Sequence, residues 1–185
     1  VIRNPVAAHY RTEGENEMSR PYTGAKDGIA KRKRPGTEHF AALVQYLTGG
    51  KLWNNGTLAI RNARGKSTLS IHATGRAVDL SFRKTARFPG SSRTYVQTWL
   101  DFLVKNADEL GVELIVDYSY PKGLGGGRTW RCDRGTWQNA KPGAISGGGQ
   151  AWADWIHVEL CPFAADSVEW VQGVFEKLLA EIPAE

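Results

Sequence analysis

Hydrophobic positions recur through residues 37–182 with two different periods, and each period predicts its own kind of element. After Pro35-Gly36, Phe40, Leu43, Val44 and Leu47 follow the i, i+3, i+4, i+7 spacing of a helix with one buried stripe. Thr37 is the expected N-cap and Gly49-Gly50 the stop. Thr57–Arg61 reads as a short strand, followed by a polar turn over residues 62–67. Ala77–Ser81 alternates, with Val78 and Leu80 facing one way and Asp79 the other. Ser92 opens the strongest helix, which ends near Leu110 and shows Val96, Trp99, Leu100, Leu103, Ala107 and Leu110 on one face, with Gly111 as its C-terminal stop. Val112–Tyr118 and Trp155–Leu160 predict two more strands. Asp166 to Glu169 reads as a capping box that opens a last helix burying Val168, Val171, Phe175, Leu178 and Ile182. About three helices and four strands predict an α+β domain with a small, mostly antiparallel sheet.

Two stretches lack such a period. Residues 1–36 are polar and rich in Gly and Pro, and predict an extended arm that wraps the domain or a linker from a preceding module. Residues 119–150 hold Gly123–Gly127, Trp130, Trp137 and Gly147–Gly149. A stretch of this length in a compact domain is functional or mobile, and here predicts a long Gly/Trp-rich loop at the site. Residues 37–185 then form a single domain.

Composition narrows the class. A hydrophobic fraction of 41% suits a globular protein, and no run of about 18 apolar residues is present to span a membrane. The net charge of +5 is concentrated in Lys31–Arg34 and in Arg83, Lys84, Arg87 and Arg93. These are either solvated loop charges or a means of approach to a polyanion such as nucleic acid, an anionic membrane or a cell-wall polymer. Cys132 and Cys161 are too few for a disulfide framework, although they could pair with each other. The N-terminus has neither an initiator Met nor the apolar core of a signal peptide, and predicts either a processed chain or, in preference, a piece cut from a longer protein.

The candidate chemistry lies in Ser70–Leu80 and Asp154–Leu160. His72 precedes Asp79 with Gly75 between them, so a turn at the glycine lets both side chains converge. His157 lies on the other strand, opposite in facing to Ile156, Val158 and Leu160. Two histidines and one carboxylate are a common catalytic zinc set that leaves a fourth position for water. Asp154 is the candidate base. On a regular strand it would point away from His157, so the chain must bend between them. Glu159 and Cys161 share the face of His157 but lie roughly 6.6 and 13 Å along it. Cys161 is therefore a poor co-ligand. Glu159 is either an acceptor for a ligating imidazole or a solvated strand residue. His9 and His39, in polar surroundings, are expected to be solvated.

Ser70-x-His72-x-x-Gly75-x-Ala77-x-Asp79, followed by Asp154-x-x-His157, resembles the D-Ala-D-Ala carboxypeptidase family of zinc peptidases. That family includes the vancomycin-resistance D,D-dipeptidases and the L-alanyl-D-glutamate endopeptidases of phage endolysins, and shares its zinc-site fold with hedgehog signalling domains. The resemblance implies a single zinc ion held by His72, Asp79 and His157, with Asp154 as base. Aspartate at the base position is more like the endolysin branch than the dipeptidases, which typically carry Glu there. An upstream arginine usually stabilises the oxyanion in this family, which points to Arg61, with Arg64 second. Ser70 is a candidate site-supporting hydroxyl or substrate contact. The Gly-rich stretches lack the Lys-Ser/Thr of a phosphate loop. With Trp130, Trp137 and Trp152 nearby, they are expected to rim a groove for a sugar-peptide polymer or to pack on one another.

The expected function is hydrolysis of an amide bond in a peptidoglycan stem peptide by the catalytic module of a phage endolysin. Such a module would be monomeric, made in the host cytoplasm without a signal peptide and active at the cell wall, with a wall-binding or second lytic domain beside it. The alternatives are a D,D-carboxypeptidase or dipeptidase of wall metabolism, and a non-catalytic, zinc-stabilised binding module of hedgehog type. A nucleic-acid binder using Lys31–Arg34 would leave the histidine–aspartate set unexplained.

Overall fold

The computed structural model describes residues 20–120 and 126–184, so His9 and most of Gly123–Gly127 lie outside the described residues. Their elements, in chain order, are α1 (Pro35–Leu47), β1 (Trp53–Gly56), β2 (Ala77–Ser81), α2 (Arg93–Lys105), α3 (Ala107–Leu110), β3 (Val112–Asp117), β4 (Arg128–Arg131), β5 (Trp137–Asn139), β6 (Trp155–Leu160), α4 (Pro162–Asp166) and α5 (Val168–Lys177). The fold is α+β. One six-stranded sheet has the order β1-β2-β6-β3-β4-β5, and every neighbouring pair is antiparallel.

The sheet has two unlike faces. Val78 and Leu80 of β2, Ile115 of β3 and Ile156, Val158 and Leu160 of β6 form one core with Phe40 and Val44 of α1, Trp99 and Leu103 of α2 and Phe175 of α5. These residues are almost wholly buried, each worth roughly 1.5–3 kcal/mol for the larger aliphatic and aromatic side chains. The opposite face carries Asp79, His157 and Glu159. The alternation that buries one set therefore presents the other.

Several boundaries differ from the sequence reading for local physical reasons. Pro35 sits at the first helical position of α1 after an extended Arg34, so the helix starts before Thr37, which is buried inside it. The strand expected at residues 57–61 lies instead at Trp53–Gly56. The backbone from Thr57 to Arg61 is engaged by residues 70–72: Ala59 N–H donates to His72 O, and Ser70 N–H to Arg61 O. The long second helix breaks at Asn106, whose side-chain amide donates to Phe102 O; α3 then ends at Gly111, with φ +70°. The last helix is two pieces, and Ser167, rather than Asp166, caps α5 by accepting from Trp170 N–H. Val168 and Ile182 are only partly buried. His39 is only partly solvated: it is half-buried, and its Nε2 lies 2.7 Å from Gln172 Oε1 between α1 and α5.

The aperiodic residues 119–150 contain the β4–β5 hairpin. Trp130 belongs to the core rather than a groove, and Arg128 packs over Trp137 at 4.3 Å while donating to Asp117. Cys132 and Cys161 are both free and buried. Burial pushes the Cys132 thiol up to about 11. Among the described residues no helix is long and apolar enough to cross a membrane.

Residues 20–34 pack on the domain through a buried polar network. Arg76 is fully buried, with its guanidinium 3.0 Å from Asp27 and 3.1 Å from Glu113, and it also donates to the carbonyls of Gly24 and Leu160. Removing one partner of such a pair leaves the other charge buried and uncompensated. Arg76→Ala is expected to cost about 3–5 kcal/mol in urea denaturation. A loss below about 1 kcal/mol, the range of exposed ion pairs, would contradict this role.

Candidate metal centre

Two adjacent strands and one tight turn bring the sequence motif together. β2 and β6 pair so that Asp79 stands directly opposite His157. His72 occupies a 3₁₀ turn, Ile71–Thr74, which Gly75 closes with φ +72°, a conformation that favours glycine. His72 Nε2 lies 3.3 Å from Asp79 Oδ2. His157 Nδ1 lies 3.0 Å from Asp79 Oδ1 and 3.1 Å from His72 Nε2. One ligand atom from each of the three residues falls within 4.8 Å of the others, and the set can hold a metal ion.

The outer hydrogen bonds fix which ring nitrogens face inward without a proton. His72 Nδ1 is 2.9 Å from Thr57 O, which only accepts, so Nδ1 carries a hydrogen, which leaves Nε2 bare in the neutral ring. His157 Nε2 is 3.0 Å from the Glu159 carboxylate, which leaves Nδ1 bare in the neutral ring. Two imidazole nitrogens and a carboxylate therefore gather within 4.8 Å of one another, an arrangement that suits a cation between them. Without a metal, the cation is a proton on His157. Burial opposes it, but the carboxylates of Asp79 and Glu159 outweigh burial and push His157 up to about 10. Burial likewise opposes ionisation of Asp79, yet its bonds to His157 and His72 hold it well below the usual carboxylate range. A metal at this centre displaces that proton.

Glu159 is buried and bridges outward: its Oε2 accepts from the Tyr22 hydroxyl at 2.7 Å. Burial first, then the Glu159 charge, push the Tyr22 phenol well above its ordinary value and keep it a donor. Tyr22 comes from the polar arm, where no periodic signal marks it. Cys161 is not in the centre; its Sγ accepts from Ala164 N–H at the start of α4.

Asp154 lies one residue before β6. Its carbonyl continues the ladder by accepting from Phe82 N–H at 2.8 Å and also accepts from Ser81 Oγ at 3.1 Å. Its carboxylate reaches Ser81 Oγ at 3.5 Å and Arg83 Nη1 at 3.4 Å. Ser81 shares the face of Asp79 two residues along, about 6.6 Å away, so the carboxylate turns toward that face beside the centre. Asp154 makes no hydrogen bond to His72, Asp79 or His157 among the described residues.

The remaining sequence candidates surround this face. Arg61 and Arg64 are exposed on the segment before the turn, and Arg61 donates to Asn62 O at 3.2 Å. Both act on the Tyr118 phenol, which burial, Asp79 and Glu159 push well above its ordinary value and the two arginines pull back. Ser70 is buried, and its backbone braces the His72 turn by accepting from Ala73 N–H. Trp152 is 60% exposed and stacks on Trp155 at 5.6 Å, which stacks in turn on Tyr118 at 4.7 Å. The sequence reading missed Tyr118, Arg83 and Tyr22. Only Arg83, in a basic run, carried any local signal.

Elemental analysis after exposure to divalent ions tests the centre. The native chain is expected to retain one ion. His72→Ala and His157→Ala should each weaken binding by more than about 100-fold, beyond the loss expected for a residue that only orients a ligand. Full retention by either variant would rule out the assignment. No family model, curated protein or solved structure matches this chain, so its chemistry is argued from the geometry of these side chains.

Proposed function

We propose that this chain is a zinc-dependent peptidase that hydrolyses an amide bond in peptidoglycan stem peptides, as the catalytic module of a phage endolysin. The observation that carries the reading is the gathering of two imidazole nitrogens and one carboxylate oxygen within 4.8 Å of one another. Tetrahedral zinc with bonds of about 2.0–2.1 Å requires ligand atoms roughly 3.3 Å apart. The His157 Nδ1 separations of 3.0 Å from Asp79 Oδ1 and 3.1 Å from His72 Nε2 are close to that edge length, and His72 Nε2 lies 3.3 Å from the other carboxylate oxygen, Oδ2. Two nitrogens in the set suit zinc better than magnesium or calcium, which favour oxygen. Three protein ligands fit a catalytic rather than a structural site. The order and spacing of the motif from Ser70 to His157 support the D-Ala-D-Ala carboxypeptidase family.

In this reading zinc supplies Lewis acidity toward water and the scissile carbonyl. His72, Asp79 and His157 hold it, and Glu159 fixes the His157 ring. The Asp154 carboxylate takes the proton of the attacking water and returns it to the leaving amine. Arg61, or Arg64 in its place, is exposed, acts electrostatically on Tyr118 and offers positive charge to the oxyanion. Trp152, exposed and stacked on Trp155, offers an aromatic face for a sugar-peptide polymer. The positive charge of the chain favours an anionic wall polymer over a neutral surface. A nucleic-acid reading is less well supported, because Lys33 and Arg34 of the basic run are already paired with Glu38, Asp27 and Asp166.

Digestion of purified peptidoglycan with and without chelator, with the new termini identified by mass spectrometry, tests the reaction and names the bond. Zinc-dependent release of new amino termini within the stem peptide is expected. Asp154→Asn should keep its fold and its metal yet lose about 10²–10⁴ in turnover, the range for a general base. A variant lacking the Asp154 carboxylate that still digests at the native rate would exclude that role.

A further inference from the structure

We infer that Tyr22 is a positioning residue of the metal centre, acting through Glu159 on His157; this rests on the reading of His72, Asp79 and His157 as metal ligands. Glu159 is 5% exposed, and both its oxygens are occupied: Oε1 lies 3.0 Å from His157 Nε2 and Oε2 2.7 Å from the Tyr22 hydroxyl. A carboxylate that accepts from a ligating imidazole orients the ring and fixes its tautomer. It does so only while its own orientation is held. Without the Tyr22 hydroxyl, Glu159 Oε2 would be a buried acceptor with no partner, and the carboxylate would be free to rotate toward any other donor.

Tyr22 is itself fixed on both sides. Two residues earlier, the buried Arg20 donates to the carbonyls of Val112 and Ala107 and pairs with Asp108. One residue later, Thr23 Oγ1 donates to Glu113 Oε1 at 2.5 Å, and Glu113 is held in turn by Arg76. The Arg131 guanidinium lies 4.9 Å above the Tyr22 ring. The arm thus delivers a rigid hydroxyl to the outer side of a ligand that belongs to β6. The path Tyr22–Glu159–His157 joins a segment with no residue in the ligand set to the metal centre.

Competition against a chromophoric chelator gives the zinc affinity of the native chain, Tyr22→Phe, Thr23→Val, Glu159→Ala and the Tyr22→Phe/Glu159→Ala pair. Circular dichroism monitors the fold of each. Tyr22→Phe is expected to bind zinc about 10-fold more weakly, the lower end of the range for partners of ligands. Thr23→Val removes a hydroxyl from the same segment that points at Glu113 instead, and should bind within about 2-fold of native. If Tyr22 acts through Glu159, Tyr22→Phe should add nothing on the Glu159→Ala background, and the losses will be non-additive. Native affinity in Tyr22→Phe, an equal loss in Thr23→Val, or additive losses in the pair would each overturn the inference while leaving the metal site standing. Should Glu159→Ala fail to fold, the comparison of Tyr22→Phe with Thr23→Val decides alone. A native chain that takes up no zinc overturns the metal reading and this inference with it.

Discussion

Asp79 and His157 face each other across neighbouring antiparallel strands, with His72 Nε2 brought up beside them by a single turn. Everything else in the fold serves that register. A slip of one residue between β2 and β6 would send Asp79 to the helical face and destroy the centre. What prevents the slip is the core, because Val78, Leu80, Ile156 and Val158 would then lose their burial beneath α1, α2 and α5. The hydrophobic face sets the register, and the register sets the distances between the three acceptors. The candidate metal centre and the core are thus two sides of one pairing.

The site face has a different construction. It is buried yet polar, so each group on it needs a partner, and a half-satisfied network would cost more than an apolar surface. The arm supplies those partners. Arg76 is the hub, taking the charges of Asp27 and Glu113, while Thr23 and Tyr22 complete Glu113 and Glu159. On the open side the groups are looser: Asp154 beside Arg83, exposed Arg61 and Arg64, and the row from Tyr118 to Trp152. A rigid inner side and a looser, open outer side is the division of labour that the proposed catalytic metal centre would require.

The parts legible in the sequence were those with strong local periodicity. β2 and β6 alternate cleanly, so the facing of Asp79, His157 and Glu159 could be read from parity, and Gly75 marked the turn at His72. The need for a bend at Asp154 was also legible, since its odd offset from His157 conflicts with a straight strand. Other features left no such trace. The hairpin of β4 and β5 is hidden because its strands are only four and three residues long and Arg128 and Arg131 end the first, with Arg128 packed on Trp137 where an apolar residue would have announced the strand. The segment after Thr57 reads as a strand, but its backbone groups are taken by the His72 turn. Tyr22 and Arg76 are significant only through contacts more than 30 residues away in sequence, which no local pattern encodes.

A metal bound jointly by His72, Asp79 and His157 has a spectroscopic signature. X-ray absorption at the zinc edge of the reconstituted protein reads the donor set directly. The account predicts a low-coordinate site with nitrogen and oxygen donors at about 2.0–2.2 Å, two of them imidazoles. A sulfur shell near about 2.3 Å, or a site lacking imidazole scattering, would contradict it.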